Sequence, residues 1–292
     1  MRILCADIGG TSIKLGISDE LGRITEFKEV PTESIKGGNY VMENLIVSLS
    51  EYKDYDFIGI STAGQVDREN GSIIYANENI PGYTGMQLKK ILEEKFNKPV
   101  EVENDVNCAG LGEARFGAGK DFKNFLCLTY GTGIGGAIIL GQEVFRGSFG
   151  LAGEFGHIIT HPEGVGCNCG HQGCYEVYAS ATALVRAAVK VDREVVNGRI
   201  FFDRIHQNDD RMVMILNNWA KEVAYGLASL IHIFNPEAVV LGGGILEQEK
   251  ALQGIEDQTR KLLMDSFQNV RFIKASLGNK AGLLGASSLH LN

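Results

Sequence analysis

Asp7-Ile8-Gly9-Gly10-Thr11-Ser12-Ile13-Lys14 interrupts an apolar N-terminal run with two glycines and a threonine. Ile3-Leu4-Cys5-Ala6 lies ahead of the break, and Ile13, Leu15 and Ile17 follow it at alternate positions. Period-two spacing on both sides predicts strand, tight turn, strand. The same unit returns at Phe125-Leu126-Cys127-Leu128-Thr129, Gly131-Thr132-Gly133-Ile134-Gly135-Gly136 and Ala137-Ile138-Ile139-Leu140. Two glycine-threonine hairpins so far apart imply a duplicated domain plan rather than a short repeat.

Around these hairpins strands and helices alternate. Helical spacing covers 38–50, 86–96, 176–191, 212–234 and 255–267, and a short closing helix is expected over 281–289. Phe57 to Ser61, Val100 to Val102 and Ala238 to Leu241 are read as buried strands, the last ending in Gly242-Gly243-Gly244. Asn104-Asp105 opens a helix through Cys108, Leu111 and Ala114. Such alternation means α/β. The expected division is a smaller domain over 1–105, completed by the C-terminal helix at about 281–292, and a larger one over 106–280. No Ser/Pro-rich linker separates them, so short connections and a shared cleft are expected.

The 292 residues are 44% hydrophobic and 22% charged, the composition of a chain that buries a sizeable core. A formal net charge of -8 and the lack of a basic run argue against nucleic acid. No run of apolar residues is long enough to span a membrane. The chain enters a strand at once, which leaves no place for a signal peptide and leads to a cytoplasmic expectation. Cys5, Cys108 and Cys127 stand singly among apolar residues, whereas Cys167, Cys169 and Cys174 fall within eight residues. In a reducing compartment such a group favours metal over disulfide.

Each motif has a plain structural reading beside the chemical one. Gly9 and Gly10 let backbone amides face a phosphate, Thr11 offers a hydroxyl, and Asp7 can meet Mg²⁺ directly or through water. An ordinary hairpin turn explains the same residues. A strand follows, not a helix, so the motif is neither a Walker loop nor a dinucleotide fingerprint. Gly131, Thr132, Gly133 and Gly135 repeat the chemistry, and Gly243 suits a flat nucleoside lying against bare backbone. Taken together, the three segments point to nucleotide phosphates. Asp105 is either an N-cap or the base that takes a proton from an attacking hydroxyl. His157, Cys167, Cys169 and Cys174 match a tetrahedral Cys₃His zinc site, closed and therefore structural, with His161 and His171 as rival ligands. Glu154 and Glu176 bracket it and are either solvated or placed to accept hydrogen bonds from sugar hydroxyls.

Together these segments resemble the ROK family of sugar kinases and sugar-responsive repressors. The resemblance rests on the two hairpins, Asn79-Ile80-Pro81-Gly82-Tyr83, Glu103-Asn104-Asp105, Gly153-Glu154-Phe155-Gly156-His157, the cysteine segment 167–176 and Gly242-Gly243-Gly244. It implies an actin-like ATPase (ribonuclease H-like) fold of duplicated α/β domains with a central cleft. It implies ATP-dependent transfer to a hexose hydroxyl, the 6-position of glucose or an N-acyl hexosamine, with Asp105 as base. The sugar would meet Gly64, Asn79, Asn104, Asp105, Glu154, His157 and Glu176. ATP and Mg²⁺ would be held by Asp7, Gly9, Gly10, Thr11, Lys14, Gly131, Thr132, Gly133, Gly135 and Gly243, and a homodimer is implied. Ala63 stands where many family glucokinases carry Pro, and Tyr83 where Trp is frequent, so the sugar itself is left open. The repressors carry an N-terminal helix-turn-helix ahead of the first hairpin; here that hairpin begins at Asp7, which favours the kinase over the regulator.

Overall fold

A computed structural model describes residues 1–291. Its elements are β1 (Ile3–Ile8), β2 (Ser12–Ser18), β3 (Ile24–Pro31), α1 (Gly38–Leu49), β4 (Phe57–Thr62), β5 (Gln65–Asp67), β6 (Ser72–Tyr75), α2 (Leu88–Phe96), β7 (Val100–Asn104) and α3 (Asp105–Phe116). They continue with β8 (Phe125–Tyr130), β9 (Ile134–Leu140), β10 (Glu143–Val144), α4 (Tyr175–Ala179), α5 (Ala181–Val189), α6 (Gly198–His206) and α7 (Asp210–Phe234). The last are β11 (Ala238–Gly242), α8 (Glu249–Arg260), β12 (Arg271–Lys274) and α9 (Ala281–Ser288).

Two five-stranded sheets carry the fold, in the orders β3-β2-β1-β4-β7 and β10-β9-β8-β11-β12. In the first, β1 pairs antiparallel with β2 and β2 with β3, while β1, β4 and β7 run parallel. In the second, β9 and β10 are antiparallel and β8, β11 and β12 parallel. Counted within each sheet, the strand order is identical, third-second-first-fourth-fifth. The duplication expected from the hairpins, the α/β class expected from the alternation and the actin-like fold implied by the resemblance therefore hold.

Why β1 is apolar at nearly every position follows from its two covered faces. Leu4, Ala6 and Ile8 join Ile60, Val102 and the α1 residues Val41, Leu45 and Leu49 in one core. Ile3 and Cys5, of opposite parity, pack with Cys108, Leu283 and Ala286 in another. A strand covered on both sides gains from burying each residue, and the alternation weakens accordingly.

The chain divides into two compact units, one formed by 1–123, 137–152 and the residues from Ser276 onward, the other by 124–136 and 153–275. This boundary lies later than the expected 105/106, because α3 packs on α9 and stays with the first unit. Glu113 on α3, 1% exposed, accepts the amides of Ser276 and Leu277 at 2.9 Å each and holds the returning chain. The closing helix ends at Ser288, and residue 292 of the expected helix lies outside the described residues.

Two expected helices are corrected. The span 176–191 is broken at Ser180, whose extended backbone ends α4 and whose hydroxyl caps α5 by accepting from Ala183 N–H at 3.1 Å. Trp219 Nε1 secures the break by donating to the carbonyls of Ala179 and Ser180, both at 3.0 Å. The span 255–267 is the end of α8 and a separate 3₁₀ turn at Asp265–Phe267. Strand β3, helix α6 and strand β12 are additions to the elements expected from the sequence.

Candidate active site

In the first unit, the acidic residues are built at the carboxyl ends of parallel strands. Asp7, near the end of β1, receives Ser61 Oγ on Oδ1 at 2.6 Å and Lys14 Nζ on Oδ2 at 3.2 Å. Lys14 reaches it because the hairpin register places the two residues opposite each other. Both halves of the Asp7–Lys14 motif thus meet at one carboxylate. Gly9 N–H donates to Ser12 C=O at 3.0 Å and closes the turn.

Asn104 ends β7 and caps α3, accepting from the amides of Val106 at 2.9 Å and Asn107 at 3.1 Å. Its own amide group donates to Gly64 C=O at 3.0 Å and to Asp105 Oδ1 at 2.9 Å. Asn104, not Asp105, is therefore the N-cap, although Asp105 Oδ1 also accepts from Val106 N–H at 2.9 Å. Gly64, Asn104 and Asp105 are brought together by these bonds, whereas Asn79 lies exposed on the loop after β6. Withdrawal from water raises the Asp105 carboxyl to about 7, and the neighbouring Asp7 charge adds to the rise. Hydrogen bonds from Val106 N–H and the Asn104 amide oppose it. A carboxyl poised near neutrality is suited to taking a proton.

In the second unit, His157 and the three cysteines converge. Their four ligand atoms lie within 4.8 Å of one another, with Cys167 Sγ 3.8 Å from His157 Nδ1 and Cys169 Sγ 3.5 Å from Cys174 Sγ. Thiolates on a tetrahedral zinc at about 2.3 Å stand roughly 3.7 Å apart, so the donor set fits that ion. The rival His161 is engaged elsewhere: it stacks on Tyr178 with ring centroids 3.9 Å apart, and its Nε2 is 3.3 Å from Glu222.

Glu176 ties this cluster to the second glycine hairpin. Its Oε1 lies 3.3 Å from Cys167 Sγ, and its Oε2 accepts from Ile134 N–H at 3.4 Å. Any side chain at Gly133 would collide with the Glu176 carboxylate. Glu154 is exposed and stands at the start of the 3₁₀ turn Phe155–His157, on the same short segment as His157.

The hairpin also forms one end of a cavity of about 860 Å³ within this unit. Gly131, Thr132 and Gly244 line it beside Val185, Val196, Phe202 and Ile245, so hydroxyl and backbone lie near apolar walls. Gly131 C=O accepts from Ala181 N–H at 3.0 Å, joining the hairpin to α5. Gly243 has φ 112°, and a Cβ there would run into the Tyr130 carbonyl, so only glycine lets the third segment pass so close. The α5 and α6 walls of this cavity were missed in the sequence, as was Glu103. That carboxylate, 2% exposed, accepts from Arg146 Nε at 2.7 Å directly before the Asn104-Asp105 pair.

Comparison with known proteins agrees with this geometry. The chain is 34% identical to a glucokinase of Thermotoga maritima over 310 residues, covering 99% of this chain and 97% of that one. It superposes with a TM-score of 0.87 on a ROK family glucokinase from Streptomyces griseus in complex with glucose and AMPPNP, at 36% identity and 99% coverage of each chain. The xylose repressor of Bacillus spizizenii is 32% identical over 80% of this chain and 60% of its own length. No helix among the described residues is long and apolar enough to cross a membrane. The ROK family signature spans residues 3–292, and the chain belongs to the ROK family.

Proposed function

We propose that this member of the ROK family transfers a phosphoryl group from MgATP to a hexose hydroxyl, the 6-position of glucose or of an N-acyl hexosamine, with Asp105 as general base. The chain is a sugar kinase; full-length similarity to glucokinases, one with glucose and an ATP analogue bound, supports this class. The observation that carries the base assignment is the Asn104–Asp105 turn. Asn104 does the capping, and Asp105 holds a carboxyl poised at about 7.

A sugar hydroxyl is a weak nucleophile, and the ordinary Asp carboxylate is too weakly basic to help it much. Raising the carboxyl by removing it from water improves the match to the proton it must accept. The Gly64 backbone, Asn79, Asn104, Glu154, His157 and Glu176 are proposed to hold the sugar hydroxyls. His157 Nδ1 faces the thiols, leaving Nε2 for substrate. The nucleoside is proposed to occupy the cavity walled by α5 and α6, with its phosphates against Gly131–Gly133. Gly9, Gly10, Thr11, Lys14, Gly135 and Gly243 are proposed to complete the nucleotide contacts. Mg²⁺, with Asp7 as its protein anchor, supplies charge neutralisation on the phosphates. Zinc, held by His157, Cys167, Cys169 and Cys174, fixes the imidazole orientation. A homodimer in the cytoplasm is part of the same proposal, tested by light scattering after gel filtration and by cell fractionation.

An ADP-release assay across glucose, mannose, fructose, N-acetylglucosamine, N-acetylmannosamine and β-glucosides, with the product mapped by NMR, tests the reaction. Sugar-dependent ADP formation abolished in Asp105→Asn, with sugar affinity retained, is expected. Sugar binding without turnover, together with sugar-dependent shift of operator DNA, would instead establish a sugar-responsive regulator, a reading motivated by the xylose repressor similarity.

A further inference from the structure

Glu103 is the one buried carboxylate beside the Asn104-Asp105 turn that the proposed reaction leaves without a task. Its Oε2 receives Arg146 Nε at 2.7 Å, with Arg68 Nε 3.9 Å away. Its Oε1 receives Asn104 N–H at 2.9 Å and Asn107 Nδ2 at 3.1 Å. Two of these donors belong to the turn itself, and one reaches across from a segment 43 residues later. Asn104 then passes the constraint on, through its contacts to Gly64 C=O and Asp105 Oδ1. A carboxylate so enclosed requires its guanidinium partner, because an unpaired buried charge is costly.

We propose that Arg146, acting through Glu103, is a positioning residue that fixes the Asn104–Asp105 turn for proton abstraction. The proposal rests on the reading of Asp105 as base. Without Arg146, Glu103 turns toward other donors or toward solvent, Asn104 loses its backbone anchor, and the Asp105 carboxyl tilts out of line. Misplacement of a reacting group by an ångström costs about 100-fold in rate. Arg146 also lines a cavity of about 520 Å³ within the first unit, with Arg68, Lys89, Glu101 and Arg115. That cavity leaves room for a small cation to enter where the side chain has been removed.

The groups facing Asp105 are Asp7, itself engaged by Lys14 and Ser61, and the amide of Asn104. Truncating Arg146 leaves Asp7 and its partners Lys14 and Ser61 in place, so a change in the Asp105 titration reports on Asn104 and the position of the turn. Arg146→Ala and Glu103→Gln should each lower kcat by about 10- to 100-fold, with sugar KM moving less than kcat because Asn104 is one of several proposed sugar contacts. The acid limb of their kcat/KM profiles should move from near 7 toward lower pH, as the carboxyl regains water. Guanidinium chloride at millimolar levels, against matched sodium chloride, should restore turnover in Arg146→Ala but not in Glu103→Gln. Arg146→Lys, which keeps the charge, should retain more activity than Arg146→Ala.

Both variants showing wild-type kcat and an unmoved acid limb, with only a lower Tm, would reduce the network to a structural one and overturn the proposal. Absence of guanidinium rescue in folded Arg146→Ala would overturn it too. Asp105→Asn separates the two readings. If that variant still turns over, the base assignment fails; if it is inactive while the Arg146 and Glu103 variants behave as wild type, only the positioning role fails.

Discussion

Asp105 sets function against stability within a single carboxyl. Its folded value of about 7 lies above its ordinary 3.8. Between roughly pH 4 and 7 the folded chain holds a proton that the unfolded chain has released, so stability falls as pH rises through that window and levels off above it. Asp105→Asn removes the penalty. Its Tm at pH 8 should exceed that of the unmodified protein by a few degrees, and the difference should vanish near pH 4. Turnover runs the other way, because only the ionised carboxylate accepts a proton: kcat/KM should rise with pH through about 7. Equal Tm values at pH 8, measured by calorimetry, would mean that the carboxyl is not strained by its surroundings. At this scale the sequence was partly legible. An aspartate opening a helix looks like a cap, and only the structure shows that the cap position belongs to Asn104, which accepts from Val106 and Asn107, while Asp105 shares only Val106 N–H. Glu103 was illegible for a different reason. In a strand of alternating parity it reads as an outward polar residue, and its partner Arg146 lies 43 residues away.

Among elements, those with local constraints could be read and those made by tertiary contact could not. The glycine hairpins announced themselves because strands of period two flank a turn that needs small residues. The knuckle was legible because metal ligands must crowd into a short loop; three of the four fall within 167–174, and His157 follows from its own short motif. The α5 and α6 walls were hidden, since Val185 and Phe202 on amphipathic helices look like ordinary core. The break at Ser180 was hidden too, because it depends on Trp219, which lies 39 residues further along the chain. Knuckle and hairpin are joined by Glu176, and that gives the zinc assignment a testable consequence. The purified protein should hold close to one zinc per chain by elemental analysis. Cys169→Ser should lower that content and raise sugar KM by about tenfold, since outer groups that orient a ligand cost 10- to 100-fold when lost. A protein free of metal and fully active would dismiss the assignment.

On the scale of the whole molecule, the same five-strand order appears twice, yet the first unit is not finished until the chain's end. Helix α9 packs on α3 and against β1 and β4, so residues 281–288 supply one face of the first sheet. The approach is close. A Cβ at Gly285 would strike the Cys108 carbonyl on α3, a rigid backbone atom that cannot turn aside. Gly254 in α8 makes an internal control, because a Cβ there would meet only the Ala220 Cβ, at an ordinary 3.6 Å. Both are helical glycines, and helix propensity alone favours alanine at each by about 1 kcal/mol. Tertiary packing reverses the sign at one of them. Gly285→Ala should destabilise by about 1–3 kcal/mol through overpacking, a Tm loss of several degrees for a protein of this size. Gly254→Ala should raise Tm by a few degrees. Zinc content should be unchanged in both, because all four ligands lie in 153–275 and neither glycine touches them. If Gly285→Ala proved as stable as Gly254→Ala, the α3–α9 contact would be looser than its geometry indicates, and the first unit would not depend on the closing helix for its core.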